Sequence, residues 1–241
     1  MKAIKPTPVT NPITTISLKD ADKFVEITED SKTYYGGDQN WFSSHEGKDG
    51  GCGTVASANI TAYMAKQESK YAKLYPYADY SKNNFVSQMN DLYQYLHPYT
   101  IPFLHLPFGI WPVERFERGF EAFCKNRGVE FQGVQDKTKY SKESVTNYIV
   151  RGLQADAPVA MMMGFNNLLK HIEVVQPSGK WWVQKSFATH WVVITGITID
   201  DTNHKTTLKV STWGGHANLD LDKYMKGERL YECLIWFKQK E

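Results

Sequence analysis

Val145-Thr-Asn-Tyr-Ile-Val-Arg-Gly-Leu153, Gln154-Ala-Asp-Ala-Pro158 and Val159-Ala-Met-Met-Met163 follow one another, and the apolar period changes where they meet. In the first stretch Val145, Ile149 and Gly152-Leu153 recur at three- and four-residue spacing, the mark of one helix face. In the last, five apolar residues run unbroken, as in a strand buried on both faces. Working back from Pro158, the helical spacing repeats in Val113, Phe116, Phe120 and Phe123, in Phe85, Met89, Leu92 and Leu96, and in Val55, Ala58, Ala62 and Ala65. Four helices are predicted. Pro112 stands at the start of the third with Gly128 just past its end, and Ser141 is placed to cap the fourth. Working forward, strand-like runs fall at Val159–Met163, Ile172–Val175, Trp181–Val183, His190–Ile199, Thr207–Thr212 and Tyr231–Phe237, parted by Gly, Asn, Asp and Pro. Helices followed by strands predict an α+β chain. Within a single domain, 1–241, residues 34–157 form a mainly helical lobe and 158–241 a mainly β lobe, an antiparallel sheet or barrel. A crevice is expected where the two lobes pack.

The composition excludes several classes. The 241 residues carry 28 Lys+Arg against 26 Asp+Glu, a formal charge of +2, and 41% are hydrophobic. That balance is neither a disordered chain nor a polybasic one. The 12 Phe, 7 Trp and 14 Tyr have no basic cluster beside them, so nucleic acid is not an expected partner. Cys52, Cys124 and Cys233 are far apart, with no Cys-x-x-Cys pair, which suggests neither a disulfide framework nor a zinc knuckle. No metal or cofactor is expected. Leu92 to Val113 lacks Asp, Glu, Lys and Arg over a membrane-spanning length, but four prolines and two histidines interrupt it, so no membrane span is expected. The start, Met1-Lys-Ala-Ile-Lys5 with Pro6 and Pro8, lacks the apolar stretch of a secretory signal. A cytoplasmic location is expected for the chain as it stands, and a secreted one if a signal has been removed.

The richest chemistry lies in Gly36-Gly-Asp-Gln-Asn-Trp41 and, after a polar loop, Gly50-Gly-Cys-Gly-Thr-Val-Ala-Ser-Ala-Asn59. The second places Cys52 between glycines at the mouth of a helix. Free N–H groups and the positive end of the helix dipole stabilise a thiolate there and could bind an oxyanion, making Cys52 a usable nucleophile. Gly51 and Gly53 let a substrate backbone approach the sulfur. The alternative is a small buried cysteine at a helix cap. Cys124, on an apolar helix face, and Cys233, in an apolar strand, are expected to be buried and inert.

A thiolate nucleophile needs a proton carrier. His190 opens the most apolar strand, Trp191-Val-Val-Ile-Thr-Gly196, and lies 138 residues after Cys52, within the roughly 130 to 150 of papain-like enzymes. A strand-end histidine satisfied by a backbone carbonyl is the alternative. The third member of such a triad lies one strand further on, where the chain reads Leu208-Lys-Val-Ser-Thr-Trp-Gly-Gly215.

Gln39-Asn-Trp, Gly51-Cys-Gly, Thr189-His-Trp-Val-Val-Ile-Thr-Gly196 and Ser211-Thr-Trp-Gly214 together resemble the motifs of papain-fold cysteine peptidases, in the family's order and over about residues 34 to 237. The likeness is nearest to the bacterial leader-peptidase-like, bacteriocin-processing branch, which acts on double-glycine peptides. The resemblance implies Gln39 as side-chain oxyanion donor, Cys52 as nucleophile, His190 as base, and Ser211 at the position of the family's orienting Asn or Asp. Two departures stand out. A serine hydroxyl stabilises an imidazolium less than a carboxylate does, and Gln39 precedes Cys52 by thirteen residues, about twice the usual spacing, so Phe42–Gly51 must bulge. Asp38 and Asn40 are neighbouring substitutes for Gln39, and Thr212, Asp200 and Asp201 are the substitutes for Ser211.

Other polar residues have plainer readings. His45, Glu46 and Asp49 match no metal-site spacing and read as a solvated loop. Asp200, Asp201 and His204 read as a turn between strands, and His216 as a surface turn that could line the site. Met161–Met163 read as core, with a substrate channel as the alternative, and Tyr93–Trp111 as either a groove wall or a packed loop. The expected activity is metal-independent cleavage of a peptide or amide bond through a thioester on Cys52, with a peptide or protein substrate. The alternatives are a transamidase on the same fold and a peptide-binding module without turnover.

Overall fold

A computed structural model describes residues 12–101, 106, 107, 109–135, 141–185, 187, 189–229 and 232–240. The described residues open with β1 (Ile13–Ser17) and a hairpin of β2 (Glu26–Glu29) and β3 (Lys32–Tyr35). Helices α1 (His45–Gly50), α2 (Cys52–Gln67) and α3 (Lys82–Tyr93) come next, then the short strands β4 (Thr100–Ile101) and β5 (Leu106–Pro107). After α4 (Val113–Asn126), β6 (Phe131–Gln135) and α5 (Lys142–Gln154) the strands dominate: β7 (Val159–Met163), β8 (His171–Val175), β9 (Trp181–Lys185), β10 (His190–Asp200), β11 (Lys205–Thr212) and β12 (Gly215–Asp220). Helix α6 (Leu221–Lys226) and β13 (Cys233–Gln239) complete it.

The four expected helices are α2 to α5, and their ends follow local chemistry. Ser141 caps α5 by accepting the Ser144 N–H at 3.0 Å while the Ser144 hydroxyl accepts the Ser141 N–H at 2.9 Å, a reciprocal box that satisfies two orphan donors. Gly128, at φ +77°, takes the left-handed turn that ends α4. Helix α2 is buried without interruption from Cys52 to Met64. That is why its sequence shows no polar face.

Nine strands form one sheet, in the order β6-β13-β7-β10-β11-β12-β8-β9, with β1 also paired to β10, and every pairing between these strands is antiparallel. The chain is thus α+β. Strand β10 is the spine: residues 190–194 pair with β7, residues 196–200 with β1, and its other edge with β11. Its residues 190–197 are buried, as expected of a central strand covered on both faces. Helices and strands are not cleanly separated by Pro158, because β1 and β6, both earlier in the chain, join this sheet. Residues 92–113 are not one helix: α3 stops at Tyr93, and no described helix is long and apolar enough to cross a membrane.

Candidate active site

The break between α1 and α2 sets the position of Cys52. Gly51 ends α1, donating its N–H to Gly47 O at 2.9 Å, and caps α2 with no side-chain bond. A Cβ on Gly51 would lie 2.4 Å from the Gly47 carbonyl oxygen, and one on Gly53 2.8 Å from Ile110 Cδ1 and 3.1 Å from Trp191 Cδ1. Gly51 is therefore needed where α1 turns into α2, and Gly53 where the first turn of α2 packs on Ile110 and on Trp191 of β10. The residue between them, Cys52, is buried, with its thiol 4.0 Å from Gly50 O.

Burial pushes the Cys52 thiol above its ordinary value, and the backbone N–H groups of Trp191, Gly53 and Cys52 itself pull it down without offsetting that. The helix-terminus effect expected from the sequence is present but outweighed. Desolvation acts on any charge, whereas the dipole contributes only about 0.3–1 kcal/mol at exposed sites. Burial also raises Cys124 and Cys233.

His190 is the first residue of β10, after Thr189 at φ +57°. Burial drives its imidazole down to about 3, so the ring is neutral. Its Nε2 lies 2.8 Å from Thr212 Oγ1, and its ring stacks on Trp213 at 3.8 Å with a 2° interplanar angle. Trp213 and Gly214, both at positive φ (45° and 70°), form the two-residue turn between β11 and β12, as a type I′ hairpin requires. That turn is tied to β3 by Tyr35 N–H to Gly214 O and Gly214 N–H to Gly37 O, each 2.9 Å.

The hydroxyl that meets the His190 ring belongs to Thr212, not to Ser211. Successive side chains of β11 leave opposite faces, and the Ser211 hydroxyl donates to Tyr35 O at 2.9 Å. Gln39 opens a 3-10 turn, Gln39–Trp41, capped by Asp38, which accepts the Asn40 N–H at 2.9 Å. Its Nε2 donates to Lys48 O, and its buried Oε1 has no partner among the described residues. The expected bulge over Phe42–Gly51 is largely helix α1, which turns Lys48 back onto Gln39. Burial raises the Asp38 carboxyl, and Asn40 is exposed.

Cys52, His190 and Gln39 line one small pocket with Asn59, Ser211, Thr212 and Trp213. Its free volume is about 10 Å³, about one water. Asn59 escaped the sequence reading, appearing only as the last residue of the quoted Cys52 segment, whereas Thr212 stood there as an alternative to Ser211.

The remaining polar groups stand apart from this pocket. His45 and Asp49 pair at 3.0 Å on exposed α1, and among the described residues no three potential metal ligands cluster. Asp200 accepts from Asn203 in the β10–β11 turn. His216, in β12, packs edge-on against Tyr35 and is lowered by burial, with Lys209 adding to the effect. Met161–Met163 are buried in β7. Of Tyr93–Trp111, residues 102–105 and 108 lie outside the described residues; Ile110 O accepts from Trp191 Nε1 at 3.0 Å. No family model matches the chain, and no curated protein matches it.

Proposed function

We propose that the chain is a papain-like cysteine hydrolase that cleaves a peptide or amide bond. One observation carries the reading: a cysteine at the first turn of a buried helix and a histidine held by a hydroxyl line the same pocket. In this mechanism the tautomer with Nε2–H donating to Thr212 leaves Nδ1 with a lone pair. Nδ1 takes the Cys52 proton as Sγ attacks the carbonyl carbon. The oxyanion is met by the Cys52 N–H and the second N–H of the Gln39 amide. Collapse expels the amine, protonated by the imidazolium, and water then hydrolyses the thioester.

The test is a fluorogenic peptide panel that includes double-glycine sequences, with mass spectrometry for an acyl group on Cys52. Turnover that Cys52→Ala and His190→Ala both abolish supports the reading. Turnover that survives Cys52→Ala overturns it. A second reading, a peptide-binding module without turnover, is favoured by a specific observation: the thiol is raised and the imidazole lowered in a nearly filled pocket. Peptide binding without any acyl-enzyme would select it.

A further inference from the structure

We infer that Asn59 is a positioning residue for the oxyanion site, tying the segment that carries Gln39 to the helix that carries Cys52. The inference rests on the hydrolase reading above. Asn59 lies seven residues, about two helical turns, after Cys52, so both share one face of α2. Both line the same pocket. It is 2% exposed, and an amide buried to that extent is costly unless hydrogen-bonded. Its Oδ1 accepts the Gly37 N–H at 2.9 Å.

Gly37 is gripped from the other side as well, its carbonyl accepting Gly214 N–H at 2.9 Å from the turn that holds Trp213 against His190. Nothing larger than glycine fits there. A Cβ on Gly37 would lie 2.4 Å from Phe85 Cε1, and one on Gly36, at φ +79°, 2.4 Å from Ser211 Oγ and 2.9 Å from Asn59 Nδ2. Ser211, donating to Tyr35 O, closes the junction from β11. Gln39 follows two residues later, in a turn already capped by Asp38. The reach of its amide toward the sulfur is thus set by where Asn59 holds Gly37. A hydrogen-bond donor misplaced by about 1 Å can cost about 10²-fold in rate, and complete loss of an oxyanion donor about 10²–10³.

The test compares Asn59→Leu, which lacks the acceptor, with Asn59→Asp, which keeps it, in the full chain. Two probes separate positioning from folding. A peptide aldehyde adds to Cys52, forming an S–C bond while the thiol proton passes to the former carbonyl oxygen, which occupies the oxyanion site. Iodoacetamide alkylates the same sulfur, releases iodide and makes no oxyanion. Asn59→Leu is expected to weaken the aldehyde and lower kcat by about 10- to 100-fold, with KM and alkylation changed less than about threefold, while Asn59→Asp stays near the parent. If Asn59→Leu does not fold, Asn59→Ala replaces it. A folded variant without the acceptor that keeps parental aldehyde affinity overturns the inference, as does an Asp variant impaired as much as the Leu variant. A parent chain that neither cleaves peptides nor takes up the aldehyde overturns the hydrolase reading, and the inference with it.

Discussion

Thr212→Val removes the hydroxyl that, among the described residues, meets the His190 ring, at 2.8 Å from Nε2, and nearly preserves the side-chain shape. The neutral hydrogen bond is worth about 0.5–1.5 kcal/mol net, and a buried ring nitrogen left without a partner costs about 1–3 kcal/mol. The stack on Trp213 survives the change and keeps the ring plane, so the loss falls on tautomer and tilt. On the hydrolase reading we take about 1–3 kcal/mol, a drop in kcat of about 5- to 150-fold, with KM nearly constant if Thr212 orients the base rather than binding substrate. Thr212→Ser keeps the hydroxyl and is expected within about threefold of the parent. Ser211→Ala is the control: its hydroxyl binds Tyr35 O instead, so it affects stability before kcat. The assay is kcat and KM on any cleaved peptide, with urea unfolding of each variant. A fully active Thr212→Val alongside a Ser211→Ala that loses tenfold in kcat while equally stable would refute the reasoning.

Burial lowers the His190 imidazole from 6.5 to about 3, so between those values the unfolded chain binds a proton that the fold refuses. Stability is fully present above pH 6.5 and falls toward pH 3 by about 1.4 kcal/mol per pH unit; His190→Gln should reduce the shift in urea midpoint between pH 7 and pH 5, and an unchanged shift counts against it. With its thiol raised, Cys52 in the resting chain should be alkylated faster as pH rises beyond 8, yet before Cys124 and Cys233; a pH-independent rate from pH 6 contradicts the burial argument. Gly36→Ala places a side chain at φ +79° and 2.4 Å from Ser211 Oγ, for an expected loss of about 1–3 kcal/mol. Ser211→Asn crowds the same junction and should destabilise rather than restore activity; a denaturation midpoint at the parental value for either would show that the junction relaxes.

The sequence carried those parts of the fold that rest on short-range signals. Alternating helical and strand periods, Ser141 as a cap and Gly128 as a stop are local chemistry, and they survive folding as α2 to α5 and the strands after Pro158. What stayed hidden was non-local. Strand β12 alternates Gly215, Ala217 and Leu219 inward with His216, Asn218 and Asp220 outward, a period-two pattern masked by the small size of its inward residues. Strand β1 is almost wholly exposed and belongs to the sheet only because β10 offers it an edge. Cys52 and His190, both quoted from the sequence, come to line one pocket, but which of Ser211 and Thr212 meets the ring depends on which face of β11 is turned toward it. A one-residue step in a strand reverses the face, and a resemblance without Asn or Asp at that position has no anchor for the register.

The resting pocket and the proposed chemistry pull in opposite directions. Transferring the Cys52 proton to His190 there creates two buried charges, a step that the raised thiol and the lowered imidazole oppose and the attraction between the new charges favours. On the hydrolase reading Cys52 rests as a thiol until substrate arrives. The free space beside the sulfur and ring is about 10 Å³, little more than one water, so on the hydrolase reading a scissile carbonyl enters by displacing part of the lining. Displacing it admits water and the substrate's own dipoles to the sulfur and ring, weakening the desolvation that separates the two groups. On this argument nucleophile activation and substrate entry are one event. A chain trapped closed would bind neither peptide nor alkylating agent, whereas one widened by truncating Val55, which lines the pocket, should gain alkylation rate at pH 7 as it loses stability.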